Sequence, residues 1–389
     1  MKHLIKTTAF SLLCLLCSNA LTAQLNISLL GQRTYSSNLS DIWGYSNGSN
    51  EYALVGVNNG LSIVDVTTPT SPSEVQFISG PSSTWRDIKT WGNYAYVTNE
   101  NSGGLSIVDL SGLPGSAPSL NWTGGPNPLG GNVSFSSAHN IFIDENGIGY
   151  IVGANYLSGG AIMIDLAANP INPPIVGVYN TNYCHDIYVR NDVMYTAEIY
   201  AGQFAIVDIS NKLSPVTLGT QSTPSNFTHN TWLSDDGNYL YTTDETGGAS
   251  VTSFDVSDPT DINQLDRLFS TTSSSIPHNT FINGDFVVTA HYTDGVRIAD
   301  ATDPSNLIET GYYDTSPSSG SGYNGCWGVY PYLPSGIILA TDQSQGLFIL
   351  NPTYSYALSL QGSVTDASSG GVIFGATVQV VGVGSTTTD

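Results

Sequence analysis

The sequence predicts an all-β protein, a seven-bladed β-propeller closed by an N-terminal strand and followed by a truncated β-sandwich module. Two short phrases recur in register along the 389 residues. The composition fits many short strands joined by tight turns, because Gly (41 residues) and Tyr (22 residues) are frequent and charged residues make up only 10%. Long helical patterns are absent from every repeat, which favours a propeller over a helical solenoid.

The first phrase is an apolar stretch that ends in Asp. Clear copies lie at residues 61–65, 105–109, 161–165 and 204–208, and weaker copies end at Asp255, Asp300 and Asn351. Pro often follows within a few residues. We expect the Asp to cap the turn after a third blade strand, as Asp side chains commonly do.

The second phrase is a polar pair that opens a short alternating strand. Its second members stand at positions 41, 87, 140, 186, 230, 279 and 328, where the last pair is Trp327-Gly328. This spacing matches the roughly 40–50 residues of a four-stranded propeller blade. Within the fourth copy, the runs 187–190, 193–197, 204–209 and 216–219 predict four strands.

The two ends of the repeat region complete each other. The seventh copy lacks an obvious fourth strand, whereas residues 28–35 resemble the fourth strand of a repeat. We therefore expect the N-terminal strand to complete the last blade, which removes exposed sheet edges.

Three regions follow from these patterns. Residues 1–23 read as a signal peptide, with a basic start, an apolar core and a cleavage site before Gln24. Residues 24–357 form the propeller. Residues 358–389 alternate with period two and then stop, which predicts the first strands of a sandwich whose remainder, with any surface anchor, is missing.

With both phrases in place, residues 25–352 resemble the choice-of-anchor B family, whose repeats are named after the phrase Leu-Val-Ile-Val-Asp. The endings at 65, 109 and 208 and the openings at 139, 185, 229 and 278 carry the resemblance. The tail, with Gly362, Asp366 and Gly375-Ala376, is similar to the carboxypeptidase-regulatory-like module. The resemblance implies export and surface attachment, and it implies no known activity.

The net charge limits the classes of binding partner, and the cysteine content indicates the state of the thiols. A formal net charge of −22 disfavours nucleic acid and anionic membranes. No apolar run beyond the leader is long enough to span a membrane. Cys184 and Cys326 remain after the leader, and we expect two buried thiols rather than a bridge.

Strand order predicts that polar residues gather at one mouth of the central channel. The expected ligand-binding residues are Arg86, Asp87, His139, His185, Asp186, His229, His278, Glu198 and Asp342. Asn99 belongs to the same group of loops. For a divalent metal ion, the expected ligands are His229, His278, His291 and Asp244, because imidazole and carboxylate are common transition-metal ligands.

Three interpretations of these residues remain open. The pairs can hydrogen-bond the neighbouring blade, they can bind a ligand or metal, or they can support catalysis, and repetition favours the first. Nucleophile, zincin, Walker and dinucleotide motifs are absent, so no catalytic residue is assigned. The sequence thus favours an exported or cell-surface module that binds an extracellular protein or glycan. A metal-dependent hydrolase at the channel mouth is the alternative, and a purely structural spacer is the third.

Overall fold

The computed structural model describes residues 24–270, 274–358, 362–380 and 384–387. The expected signal peptide, residues 1–23, lies outside them. The chain divides into two compact units, Met1–Ser355 and Tyr356–Asp389. No helix in the described part of the chain is long and apolar enough to cross a membrane.

The first unit is a seven-bladed β-propeller, and each blade is an antiparallel sheet. The strands of each blade are given from the innermost outward. Blade 1 contains Leu39–Ser46, Glu51–Val57, Gly60–Asp65 and Ser73–Ser79, and blade 2 contains Ile88–Trp91, Tyr94–Val97, Leu105–Asp109 and Ser119–Trp122. Blade 3 contains Asn140–Ile143, Ile148–Val152, Ala161–Asp165 and Ile175–Tyr179. Blades 4 and 5 contain Asp186–Arg190, Val193–Glu198, Gln203–Asp208 and Val216–Ser222; Thr228–Leu233, Tyr239–Asp244, Ser250–Asp255 and Asn263–Phe269. Blades 6 and 7 contain Pro277–Asn283, Phe286–His291, Gly295–Asp300 and Ile308–Tyr313; Cys326–Tyr330, Ile338–Asp342 and Gly346–Pro352.

The N-terminal segment closes the ring. Strand Ile27–Arg33 pairs with Gly346–Pro352 and supplies the fourth strand of blade 7. Strand Gln24–Leu25 adds a fifth strand to the outer edge of blade 6. The predicted all-β propeller of seven blades, with its N-terminal closure, is confirmed.

Two small elements interrupt this regular order. A hairpin of Gly124–Pro126 and Asn132–Ser134 lies between blades 2 and 3. A short 3-10 helix, Tyr292–Asp294, connects the second and third strands of blade 6. Both lie on connections between strands, where insertions leave the blade sheets intact.

Hydrophobic side chains fill the spaces between successive blades. The residues Phe204 of blade 4 and Phe254 of blade 5, for example, are fully buried and meet edge to face. Glycines allow neighbouring blades to approach closely at their outer strands. A Cβ on Gly219 would lie 1.9 Å from the backbone oxygen of Pro259 in the next blade. Cys184 and Cys326 are buried in these layers without a bridge, as expected.

The repeated Asp at the end of each third strand caps the following turn. Asp65 accepts a hydrogen bond from the backbone N–H of Thr67, and Asp208 does the same for Ser210. Equivalent bonds are made by Asp109, Asp165, Asp255 and Asp300. The phrase therefore encodes turn geometry, as the sequence predicted.

The second unit contains a short antiparallel pair, Thr377–Val380 with Gly384–Thr387. An isolated bridge joins Thr365 to Val372. Between these two residues, Asp366 accepts hydrogen bonds from the backbone of Ser368 and Ser369. These extra strands are consistent with the expected β-rich tail.

Candidate functional site

The innermost strands present two rows of side chains to the central channel, because alternate residues of a strand face the same side. The upper row is Asp41, Asp87, Asn140, Asp186, Asn230, Asn279 and Gly328. The lower row lies two residues later and is Trp43, Lys89, Phe142, Tyr188, Trp232, Phe281 and Tyr330. Aromatic contacts across the lower row, such as Trp232 with Phe281 at 4.6 Å between ring centroids, fill the channel.

The upper row links each blade to its neighbour. Asp41 accepts a hydrogen bond from the backbone N–H of Ile88, and Asp87 accepts one from Ile141. Asn230 binds the N–H of Thr280 through its oxygen. The two predicted ligand-binding residues of this row, Asp87 and Asp186, thus hold partners within the fold. This favours the structural interpretation for the upper row.

Lys89 is the single cation among the aromatic side chains of the lower row. Its Nζ atom lies 2.8 Å from Asp87 and 3.8 Å from Asp41, and it stands over the Trp43 ring. Burial lowers the pKa of Lys89, but the two carboxylates outweigh burial and the net shift is upward. Burial and the Asp87 charge raise the pKa of Asp186 to about 6. Lys89 is therefore the counter-ion of a buried acidic cluster.

Bulges at the start of the inner strands turn one more side chain toward the mouth. In blade 5, Thr228 faces Asp244 and Asn230 faces Thr243, so His229 is an extra residue. In blade 7, Trp327 is extra in the same way. A bulge lets two adjacent residues face the same side. His229 and His278 lie at such bulges, whereas His139 and His185 directly precede their inner strands. All four predicted ligand residues line the mouth.

These side chains form an arc of rings in contact. Successive ring centroids lie 3.9 Å apart for His139 and His185, 4.4 Å for His185 and His229, and 4.2 Å for His229 and His278. Trp327 continues the arc at 4.2 Å from His278 and stacks on Trp85. The free space that remains at this mouth admits a water-sized particle rather than an organic molecule.

Three histidines of the arc, His185, His229 and His278, are neutral bases at neutral pH. Burial lowers the pKa of His278 to about 3. Burial followed by the neighbouring imidazoles holds the pKa values of His185 and His229 well below the usual range. The Nδ1 atom of His139 lies 2.6 Å from the Glu100 carboxylate. Neutral imidazole is the form that binds metal ions.

Glu245 supplies a carboxylate beside the arc. It follows the second strand of blade 5, and its oxygens lie 3.9 Å from His229 Nε2 and 3.8 Å from His278 Nε2. The Tyr292 hydroxyl donates a hydrogen bond to it. Burial raises the pKa of Glu245 to about 7, and the Tyr292 hydrogen bond opposes that shift. Ligand atoms of His185, His229 and Glu245 all lie within 4.8 Å of one another.

The structure does not bring the four predicted metal ligands together. His229 and His278 meet at the mouth, but Asp244 accepts hydrogen bonds from the backbone of Ser225 and Phe227. His291 lines a separate cavity with Arg297 and Glu309. A carboxylate that caps its own loop, and a histidine enclosed between strands, cannot ligate an ion at the axis. The acidic group that reaches the mouth is Glu245, the residue after Asp244.

Three other second-strand residues are also absent from the mouth. Glu198 is fully buried and accepts hydrogen bonds from Tyr179 and Gln203. Asp342 and Asn99 bind backbone N–H groups of their own turns. The expectation that these side chains point to the channel is corrected, because Asn99 and Asp342 are used by their own turns and Glu198 is held by side chains of neighbouring strands.

Arg86 leaves the axis and enters a groove between blades 1 and 2. Its Nε atom donates to the Val57 carbonyl at 2.8 Å, and its Nη2 atom donates to Asn58 and Pro81. The side chain lines both the mouth and the groove. In blade 2, Trp85 takes the place at the mouth where the sequence suggested Arg86.

Sequence reasoning missed Glu245, Lys89 and Trp85. Lys89 could have been found, because it stands two residues after Asp87 on the same strand face. Glu245 follows a correctly placed strand, but the direction of a loop side chain is set by tertiary contacts.

Comparison with protein families finds the LVIVD repeat at residues 48–79, 84–121, 183–223 and 278–315. These four segments coincide with blades 1, 2, 4 and 6. Comparison with curated proteins found no match. The chain therefore carries LVIVD repeats, and the structure folds them as blades of one propeller.

Proposed function

We propose that this protein is an exported ligand-binding module that takes an acidic saccharide in the groove between blades 1 and 2. One observation carries the proposal: the buried guanidinium of Arg86 has no carboxylate partner at the groove. Among the described residues, no acidic side chain lies within salt-bridge distance of it.

Arg86 is only 5% exposed. Burial lowers its pKa to about 10, so the side chain stays charged at neutral pH. Its described hydrogen bonds are to carbonyl oxygens through Nε and Nη2, which leaves Nη1 available. Arg297, in contrast, contacts both Asp294 and Glu309. A buried cation without an opposite charge is costly unless a bound anion supplies that charge.

The groove has the size and chemistry for a sugar. Its cavity volume is about 260 Å³, and it is open to solvent. Hydroxyl and amide side chains alternate with a few apolar ones along its walls: Ser79, Ser102, Ser106, Ser119, Asn99, Asn121, Leu61, Ile78 and Leu120. Such groups hydrogen-bond sugar hydroxyls, and the Nη1 atom of Arg86 can donate a charge-assisted hydrogen bond to a carboxylate.

The net charge of −22 sets a limit on the ligand. Long-range repulsion disfavours a polyanion, whereas one carboxylate held against Arg86 gains a local partner. We therefore propose a glycan that carries an isolated uronic acid rather than a densely charged polymer.

The test is calorimetric titration with a uronic-acid oligosaccharide and with its neutral counterpart. We expect binding of the acidic sugar and loss of binding in Arg86→Gln. Asn121→Asp adds a negative charge to the groove and leaves Arg86 in place, so we expect it to weaken binding about tenfold or more. Arg190→Gln, at an exposed arginine that donates to Asp235, is the matched control. Equal binding of both sugars, or of wild type and Asn121→Asp, contradicts the proposal.

Export and surface attachment belong to the same proposal. They are supported by the signal-like residues 1–23 and by the resemblance of the repeats to the choice-of-anchor B family, with a carboxypeptidase-regulatory-like module at the C-terminus. Fractionation of a bacterial host that secretes through signal peptides tests export. We expect an extracytoplasmic protein whose first residue is Gln24, and an unprocessed cytoplasmic chain contradicts it.

A metal-dependent hydrolase at the channel mouth is the second candidate. The grouping of His185, His229 and Glu245 favours it. The water-sized space at the mouth disfavours it, because an organic substrate needs an open position beside the metal. Screening of ester and peptide substrates with added Zn²⁺ decides between the two, and turnover lost in Glu245→Gln would favour the hydrolase.

A further inference from the structure

We propose that His185, His229, His278 and Glu245 form a binding site for one divalent transition-metal ion at the mouth of the propeller channel. This site is separate from the sugar groove, and it differs from the metal ligands expected from the sequence.

The orientation of His278 is fixed by its other ring nitrogen. Its Nδ1 atom lies 2.6 Å from the backbone oxygen of Trp327. A carbonyl oxygen only accepts, so Nδ1 carries the proton and Nε2 presents a lone pair. Metal-binding histidines commonly donate their second N–H to a carbonyl in this way.

The lone pair of His278 faces a carboxylate. Nε2 lies 3.8 Å from Glu245 Oε1, and His229 Nε2 lies 3.9 Å from Glu245 Oε2. Two acceptors that face each other at this distance repel, and a cation between them turns the repulsion into two bonds. Ligand atoms about 2.0–2.1 Å from a tetrahedral Zn²⁺ are separated by roughly 3.3 Å, so small side-chain rotations close the observed distances.

Several buried nitrogens in this cluster lack partners. Among the described residues, His278 Nε2, His229 Nδ1 and His185 Nδ1 have no hydrogen bond. His229 and His278 are each only 2% exposed. Of these atoms, His278 Nε2 is the one that faces Glu245, at 3.8 Å. Buried polar atoms are nearly always satisfied in folded proteins, so an unpaired nitrogen opposite a buried carboxylate points to a missing partner.

Two tyrosine hydroxyl groups hold the proposed carboxylate ligand in place. The Tyr292 hydroxyl donates to Glu245, and the Tyr323 hydroxyl donates to its backbone oxygen at 3.2 Å. Three imidazoles with one carboxylate favour Zn²⁺ and similar ions over Ca²⁺ and Mg²⁺, which prefer oxygen ligands.

The experiment is titration of the full chain, free of any affinity tag and stripped with a chelator, with Zn²⁺ by calorimetry and with Co²⁺ by visible absorption. We expect one ion per chain and the absorption bands of four-coordinate cobalt. Mg²⁺ is expected to give no binding signal. Failure of Zn²⁺ and Co²⁺ to bind stoichiometrically overturns the proposal.

Two variants and one control assign the residues. Glu245→Gln is expected to weaken Zn²⁺ binding by about 100-fold or more, and Tyr292→Phe by about 10–100-fold through the lost support of Glu245. His291→Gln changes another buried histidine whose Nδ1 atom has no hydrogen bond and is expected to leave affinity unchanged. Circular dichroism establishes that each variant is folded, and Tyr292→Phe carries the test if Glu245→Gln is not. Unchanged affinity in folded variants, or equal loss in His291→Gln, overturns the assignment.

Discussion

Replacement of Lys89 by Met tests whether one buried cation stabilises the acidic cluster in the channel. Lys89 is 6% exposed, and its Nζ atom contacts Asp87 at 2.8 Å and Asp41 at 3.8 Å. At an effective dielectric constant of about 20, these distances correspond to attractions of about 6 and about 4 kcal/mol. Desolvation offsets much of this energy while the pair is intact. Removal of one partner of a buried pair leaves the other uncompensated, so we expect a loss of about 3–5 kcal/mol.

Urea denaturation at pH 7 measures this loss as a shift in the free energy of unfolding. Lys212→Met is the matched control, because Lys212 pairs with Asp192 at 2.7 Å in a more exposed setting. The free energy of unfolding of the control is expected to fall by less than about 1 kcal/mol.

Burial and Asp87 hold the pKa of Asp41 well above its usual range. The penalty in Lys89→Met should therefore shrink as the pH is lowered and that carboxylate becomes protonated. Equal losses in both variants at pH 7 would refute the reasoning.

Three further predictions concern the fold. Gly219→Ala places a methyl group against the Pro259 carbonyl and is expected to destabilise the protein by at least about 2 kcal/mol in urea denaturation, whereas Gly125→Ala, which meets no atom within 4 Å, changes little. Burial and then the Arg297 charge lower the pKa of His291 to about 3. The contribution of His291 to the free energy of unfolding is therefore full above pH 6.5 and is lost as the pH falls. Between pH 6.5 and 5, the free energy of unfolding should decline by up to about 2 kcal/mol more in wild type than in His291→Gln. A similar decline in both proteins would contradict the burial of a neutral imidazole. A chain that begins at Thr34 lacks the fourth strand of blade 7 and is expected to aggregate in light scattering, whereas a chain that begins at Gln24 stays monodisperse.

Local signals in the sequence were sufficient to predict the propeller. The Asp at the end of each third strand caps a turn within two or three residues, so its role depends on nearby backbone alone. The polar pairs mark the start of each inner strand for a similar reason, and their spacing reveals the blade length. The N-terminal closure followed from counting strands.

The site was only partly predictable, because it depends on which way loop side chains turn. His229 and His278 reach the mouth through bulges at the start of their inner strands, whereas His185 directly precedes its strand. The repeat register predicted these positions. Asp244 and Glu245 are adjacent and chemically alike, and the sequence favoured the wrong one. Asp244 is taken by backbone N–H groups of residues 225–227, a contact that exists only after the chain has folded around it.

A crystal structure with Zn²⁺, with diffraction recorded on both sides of the zinc absorption edge, tests the central claim most directly. That claim is that inner-strand histidines of blades 4, 5 and 6 converge with Glu245 on one ion. We expect a single strong anomalous peak within about 2.0–2.2 Å of Glu245 and the imidazole nitrogens of His229 and His278. An empty mouth at saturating Zn²⁺, or a peak beside Asp244 or His291 instead, would contradict it.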